Sequence, residues 1–269
     1  MEGPTMDRWE EINTYAVRWI REAGERILAS QKPLQIETKS DRNDLVTNID
    51  KETEQFLIGK IRTTFPDHHI LGEEGFGEDI RDTEGILWIV DPIDGTVNFV
   101  HQKVNFMISI GVYENGEGKL GYIYDVVRKE LYFAEKGKGA YFNGERIPLL
   151  AQNRLEDTIL ALNPYCMVEN RGIDPARLAA LVRDVRGTRS YGSAALELAY
   201  VAMGRLDAYI TMRLSPWDFA AGKVIVEEVG GVVTDVFGRP LDMLGNSSVF
   251  AGKPGLHEEI LKRYLKGQE

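Results

Sequence analysis

The chain has 269 residues, 43% of them apolar and 27 glycine, which suffices for a full core and excludes wholesale disorder. Lys and Arg total 32 against 42 Asp and Glu, and the resulting net charge of −10 excludes a duplex-wrapping nucleic-acid binder and weighs against anionic substrates. One cysteine (Cys166) and four scattered histidines exclude an internal disulfide and a zinc pattern, and the longest uncharged run, 158–168, is too short for a membrane span. No apolar signal core follows Met1, and Met6 is an equally good start. The expectation is a cytoplasmic protein with no membrane or nucleic-acid partner.

A helix is predicted from about Asp7 to Ser30, where Trp9, Ile12, Ala16, Trp19, Ile20, Ala23 and Ile27 make one apolar stripe. The polar stretch Lys39 to Asn43 reads as a mobile loop. After Leu45-Val46-Thr47, Asp50 is placed to cap a second helix through about Phe65, with Phe56, Leu57 and Ile61 as its buried face. Ile86 to Val90 is continuously apolar, as in a strand buried on both faces. Phe106 to Tyr113, Leu120 to Val127 and Leu131 to Ala134 follow across turn sequences and predict an antiparallel meander.

Beyond about Ala151 strands and helices alternate. Thr158 to Leu162 reads as a strand, and Asp174-Pro175 opens a helix to about Val185. Ser193 to Met203, with one charge in eleven residues, predicts a buried helix. Asp218 to Val229 predicts another, stopped by Gly230-Gly231, before a strand at Val232 to Thr234. No linker separates the halves, so one integrated domain over 1–269 is expected, with lobes at about 7–150 and 151–269.

The chemistry concentrates in acids at element boundaries. Asp91-Pro-Ile-Asp-Gly-Thr96 follows the buried strand, where open α/β sheets place ligands. Asp94 can reach the same point as Asp91, and Gly95 and Thr96 can aim backbone amides at an anion. Gly72-Glu-Glu-Gly75 ends another apolar run, and Pro216-Trp-Asp218 opens an apolar helix. Singly, each acid has a structural use as a cap or turn. Together, with no His or Cys cluster, they suggest an oxygen-only site for magnesium or manganese.

Trp88-Ile-Val-Asp-Pro-Ile-Asp-Gly-Thr-Val-Asn-Phe99 resembles the first signature of the inositol monophosphatase family, and Trp217-Asp-Phe-Ala-Ala-Gly222 with Glu228-Val-Gly-Gly231 resembles the second. Gly72-Glu-Glu74 and Asp44 to Asp50 match two further family motifs in order, and the similarity runs from about Trp9 to the C-terminus. The resemblance implies an α/β fold, a layered αβαβα sandwich, and lithium-sensitive hydrolysis of phosphate monoesters with two or three Mg2+, for which Mn2+ is a substitute. It also implies a homodimer. Carried over by position, Glu73, Asp91 and the Ile93 carbonyl hold one metal, and Asp91, Asp94 and Asp218 a second. Gly95 and Thr96 bind phosphate, and Thr96 with Asp50 assists the attacking water. Glu73 belongs to the catalytic set, while Lys39 and Glu74 lie near the mobile loop and a weaker third metal.

Gly192-Ser193-Ala194 resembles the family segment that contacts substrate hydroxyls; an N-cap serine followed by small packing residues is the equal alternative. Where relatives acting on inositol phosphate carry a glutamate, this chain has Thr211, with Arg213 two residues on. Arg213 suits a second phosphate, or else is a surface arginine paired with an acid. Inositol monophosphate is the leading substrate, with fructose 1,6-bisphosphate and the nucleotides 3′-phosphoadenosine 5′-phosphate and NADP as alternatives. A regulatory binding protein that keeps the fold is the reading from another class. A nuclease is disfavoured, because Lys136/Lys138 and Arg186/Arg189 are too sparse for a strand-binding track.

Overall fold

The computed structural model describes residues 7–39, 44–168 and 172–266. The first half runs α1 (Arg8–Ala29), β1 (Ile36–Thr38), β2 (Leu45–Thr47), α2 (Asn48–Thr64), β3 (His69–Gly72), β4 (Ile86–Asp94), α3 (Thr96–His101), β5 (Met107–Glu114), β6 (Glu117–Asp125), β7 (Glu130–Glu135), β8 (Gly139–Phe142) and β9 (Glu145–Arg146). The second half runs β10 (Ile159–Leu162), α4 (Tyr165–Val168), α5 (Pro175–Asp184), β11 (Gly187–Arg189), α6 (Ala194–Ala202), β12 (Ala208–Leu214), α7 (Pro216–Glu228), β13 (Val232–Thr234), β14 (Ser247–Gly252) and α8 (Leu256–Ile260).

Strands β3 to β9 form a seven-stranded sheet in sequence order, parallel between β3 and β4 and antiparallel thereafter. A five-stranded sheet has the order β11-β10-β12-β14-β13. The two-residue period of β4 explains how the layers stack. Ile86, Trp88 and Val90 face α1 and α2, while Leu87 and Ile89 face α6 and α7. Tyr209, Val249 and Ala251 close that second layer from the five-stranded sheet, whose other face packs Ile210 and Phe250 against α5 and α8. The result is α1/α2, sheet, α6/α7, sheet, α5/α8: the expected αβαβα sandwich. Helix α7 lies unusually near β5 and β6, where a Cβ on Gly121 would stand 2.5 Å from the Ala221 carbonyl oxygen.

The α1 stripe is buried as expected except for Trp9, which is only partly covered because it sits at the helix's first turn. In α2, Leu57 and Ile61 are buried, while Phe56 is half-buried beneath the Arg26 guanidinium. Two cap assignments need correction. Thr47, not Asp50, is the N-cap of α2, and α7 begins at Pro216 behind a Ser215 cap. Asp50 and Asp218 instead occupy the third helical position, each accepting the amide of its cap residue in a capping box. Strands β12 and β14, which form the middle of the five-stranded sheet, are additions to the predicted elements. Of the loop expected at Lys39 to Asn43, residues 40–43 lie outside the described residues.

Candidate metal centre

All nine residues of β4 are buried, and the strand carries its two aspartates to the end of the sheet. Asp91 pairs opposite Ser109, Asp94 opposite Met107, with the register shifting between them at Pro92-Ile93. The Ile93 amide donates to Asp91 Oδ1 at 3.0 Å, which folds the segment so that both acids face one side. Gly95 then turns the chain with φ of 88° into α3; a Cβ there would press on Ser193 at 3.1 Å and Gly192 O at 3.2 Å. A glycine is required because two chain segments cross at this point.

Asp218 arrives from α7. Asp91, Asp94 and Asp218 each offer a carboxylate oxygen, and the three atoms lie within 4.8 Å of one another. They line a cavity of about 190 Å³ with Glu73, Ile93, Gly95, Thr96, Gly192 and Asp44. Asp94 is bound by the start of α6: it accepts from Ser193 Oγ, from the Ala195 amide at 2.8 Å and from the Ala194 amide at 3.2 Å. Thr96 Oγ1 lies 3.0 Å from Asp50 Oδ1 and 3.0 Å from the Ile93 carbonyl oxygen. Lys39 Nζ donates to Glu73 at 2.9 Å and to Glu74 at 2.7 Å.

The electrostatics are those of charge awaiting compensation. Burial, then the neighbouring Glu73, Asp94 and Asp218, push Asp91 well above the usual carboxylate range. Asp218 is raised likewise, by burial and then by Asp94 and Glu73. Burial lifts Glu73 against the pull of Lys39. Asp94 and Asp50 are each pushed up to about 6 by burial, held from rising further by the hydrogen bonds they accept. Burial opposes the charge on Lys39, but Glu73 and Glu74 carry its pKa above the ordinary lysine value. An all-oxygen donor set whose members repel one another fits a hard divalent cation, which would relieve that repulsion.

Several expected site residues lie outside the cavity wall. Asp50, Ser193 and Ala194 stand behind it, touching Thr96 or Asp94. Glu74 turns inward to Lys39. Thr211 is buried beside Tyr209, and Arg213 is exposed, with Nη2 and Nε 3.0 and 3.1 Å from the Asn246 side-chain amide, whose oxygen accepts from both when the amide is turned toward them. Arg213 thus pairs with an amide where an acid was the alternative.

Four further residues near the site carry no site role in the sequence reading. Glu54, one turn beyond Asp50 on α2, accepts the Glu74 and Phe76 amides at 2.7 and 3.0 Å. Asn98, inside the first signature, donates Nδ2 to the carbonyls of Asn105 at 2.9 Å and Tyr191 at 2.7 Å. Glu197, the lone charge of α6, accepts the Tyr191 amide at 2.6 Å and is pushed up to about 7 by burial. Asp44 lines the cavity. The i+4 spacing from Asp50 and the isolated charge in an apolar helix were the available signals.

Over nearly its whole length the chain is similar to proteins of known kind. It is 59% identical over 265 residues to the inositol-1-monophosphatase of Bacillus subtilis, covering 98% of this chain and all of that one. It is 38% identical over 259 residues to the fructose-1,6-bisphosphatase/inositol-1-monophosphatase of Thermotoga maritima, covering 96% and 95%. The crystal structure of an inositol monophosphatase/NADP phosphatase with Mg2+ and phosphate superposes with a TM-score of 0.89 at 30% identity, covering 97% of each chain. The model of the inositol monophosphatase family matches residues 8–268, and with the acid-lined centre at the end of β4 this places the chain in that family.

Proposed function

We propose that the chain is a Mg2+-dependent phosphate monoester hydrolase whose leading substrate is inositol monophosphate. The carrying observation is the convergence of Asp91, Asp94 and Asp218 beside the first turn of α3. Glu73, Asp91 and the Ile93 carbonyl would hold one ion and Asp91, Asp94 and Asp218 a second, with Lys39 and Glu74 near a weaker third. When bound, the ions supply Lewis-acid activation of water and neutralise the leaving oxygen.

The protein's own groups do the positioning. The Gly95 and Thr96 amides, which stand at the N-terminus of α3 and so have no intrahelical partner, bind phosphate oxygens. Thr96 has one hydroxyl proton, directed to Asp50 or to the Ile93 carbonyl, so a lone pair is left to accept from the attacking water and orient it. Asp50 is held in turn by the Thr47 amide at 3.0 Å and the Thr47 hydroxyl, and keeps the Thr96 hydroxyl in this role.

The substrate reading rests on the extensive likeness to an inositol-1-monophosphatase. Fructose 1,6-bisphosphate and NADP follow from the names of other relatives and from Thr211, which offers no carboxylate to vicinal hydroxyls. The same reading takes the chain as one domain, as a homodimer and as a cytoplasmic, lithium-sensitive enzyme. Support for one domain is the shared core, in which α6 and α7 pack between the two sheets. Among the described residues no helix is long and apolar enough to cross a membrane.

Phosphate release from inositol 1-phosphate, fructose 1,6-bisphosphate, 3′-phosphoadenosine 5′-phosphate and NADP is the test. The expected result is the highest kcat/KM on inositol 1-phosphate, with activity lost on chelation of Mg2+ and on addition of lithium. Metal-independent turnover would overturn the mechanism, and a preference for another ester would overturn the substrate.

A further inference from the structure

Helix α2 buries two carboxylates, Asp50 and Glu54, one turn apart on one face. Asp50 serves Thr96. Glu54 faces the chain leaving β3, and each of its oxygens takes an amide: Oε2 that of Glu74 at 2.7 Å, Oε1 that of Phe76 at 3.0 Å. The approach is so close that a Cβ on Gly72 would stand 2.6 Å from Glu54 Oε1. Glu73 lies between the Gly72 contact and the Glu74 anchor, and its own amide reaches back to the Val90 carbonyl at 3.3 Å. The turn that carries Glu73 is therefore fixed from α2 on one side and from β4 on the other.

A buried carboxylate is a costly way to tie down a turn, since desolvation opposes it and a neutral acceptor would bond the same amides. What the charge adds is rigidity, because charge-assisted hydrogen bonds are shorter and stronger than neutral ones. We propose that Glu54 is a positioning residue for the metal centre: it fixes the Glu73-to-Phe76 turn and so sets the reach of the Glu73 carboxylate toward Asp91. The proposal rests on the metal-centre reading above. It also accounts for Gly72, whose missing side chain makes room for the Glu54 carboxylate. Groups that orient a metal's ligands without touching the metal typically change its affinity 10- to 100-fold when replaced.

The test is calorimetric titration of Mg2+, and separately Mn2+, into the metal-free full-length protein, with melting curves alongside. Glu54→Gln keeps one acceptor and turns an NH2 toward an amide. Gly72→Ala disturbs the same contact from the opposite side, at a strand position without a positive φ. Both are expected to weaken metal binding by about 10-fold or more. The Mg2+ activation constant should rise by the same factor, with kcat at saturating Mg2+ recovering to within about threefold. Ile58→Val thins the core under the same helix and removes no hydrogen bond of the turn, and is expected to lower Tm and leave the metal constant unmoved. Unchanged metal affinity in whichever of Glu54→Gln and Gly72→Ala stays folded overturns the proposal and leaves the metal centre standing, as does equal weakening in Ile58→Val. Wild-type protein that binds neither ion overturns both.

Discussion

Asp91 and Asp94 leave the same strand three residues apart, both buried, and the protein treats their charges in opposite ways. Around Asp94 the polypeptide supplies compensation: a serine hydroxyl and two amides at the positive end of α6. Around Asp91 it supplies more acids, and among the described residues the one backbone amide that donates to its carboxylate is that of Ile93. The Asp94 side is a preformed anion site occupied by the protein's own carboxylate. The Asp91 side is left uncompensated, and a bound cation is what would complete it. One carboxylate is thus oriented before any metal arrives, while the other stores repulsion that a bound metal would release.

The sharpest way to break this comparison is to neutralise each aspartate in turn. Asp91→Asn and Asp94→Asn are both expected to lower kcat/KM by on the order of a hundredfold or more, beyond the effect of losing a group that merely orients a ligand. Their metal-free stabilities should diverge. Asp91→Asn removes a buried, repelled charge and should raise Tm. Asp94→Asn sets an NH2 group among the donors of α6 and should cost about 1–3 kcal/mol. Melting curves in chelator decide the matter; equal shifts of the same sign would end the distinction.

A second, smaller effect is in pH. Asp94 and Asp50 titrate near 6 in the fold and Glu197 near 7, all above the roughly 4 expected of unfolded carboxylates. Groups raised in the native state contribute stability that is fully present below about pH 4 and is lost as pH rises through the folded values. The Tm gained on adding saturating Mg2+ should therefore be larger at pH 8 than at pH 5, because the cation restores what deprotonation removes. A gain independent of pH would place the compensating charge elsewhere.

The legible parts of this molecule were those written in local pattern. The apolar run before Asp91 and the stripe of α1 have one physical solution each, a doubly covered strand and an amphipathic helix. Asp50 and Asp218 were misplaced by two or three residues although Thr47-Asn-Ile-Asp50 and Ser215-Pro-Trp-Asp218 both carry a capping-box spacing. Strand β12 is not legible locally because its neighbours, β10 and β14, stand 48 and 40 residues away by the pairs Leu162↔Ile210 and Ile210↔Phe250, and no local period records such pairing. Thr211 and Arg213 show the same limit: a register shift between Thr211 and Leu214 helps decide which side chains point inward, and counting from Asp218 cannot show it. Asn98 sits inside a matched segment and Glu54 one turn beyond another, and only the chain they touch, far away in sequence, reveals what they hold.

The mildest prediction isolates the preformed side. Ser193 is both the N-cap of α6, accepting the Leu196 amide at 3.2 Å, and a donor to Asp94. Ser193→Ala should cost about 1 kcal/mol as a lost cap. It should also free Asp94 to titrate at higher pH, since one of the hydrogen bonds opposing its raised pKa is gone. The Ala194 and Ala195 amides remain, so Asp94 keeps most of its orientation, and the Mg2+ constant should rise only severalfold at neutral pH, well short of the loss in Asp94→Asn. Because protons compete with Mg2+ for the same oxygens, that rise should grow as pH falls toward 6 and shrink toward 8. A pH-independent change in the Mg2+ constant would mean that Ser193 acts through the helix alone, and that the compensation of Asp94 resides in the backbone of α6.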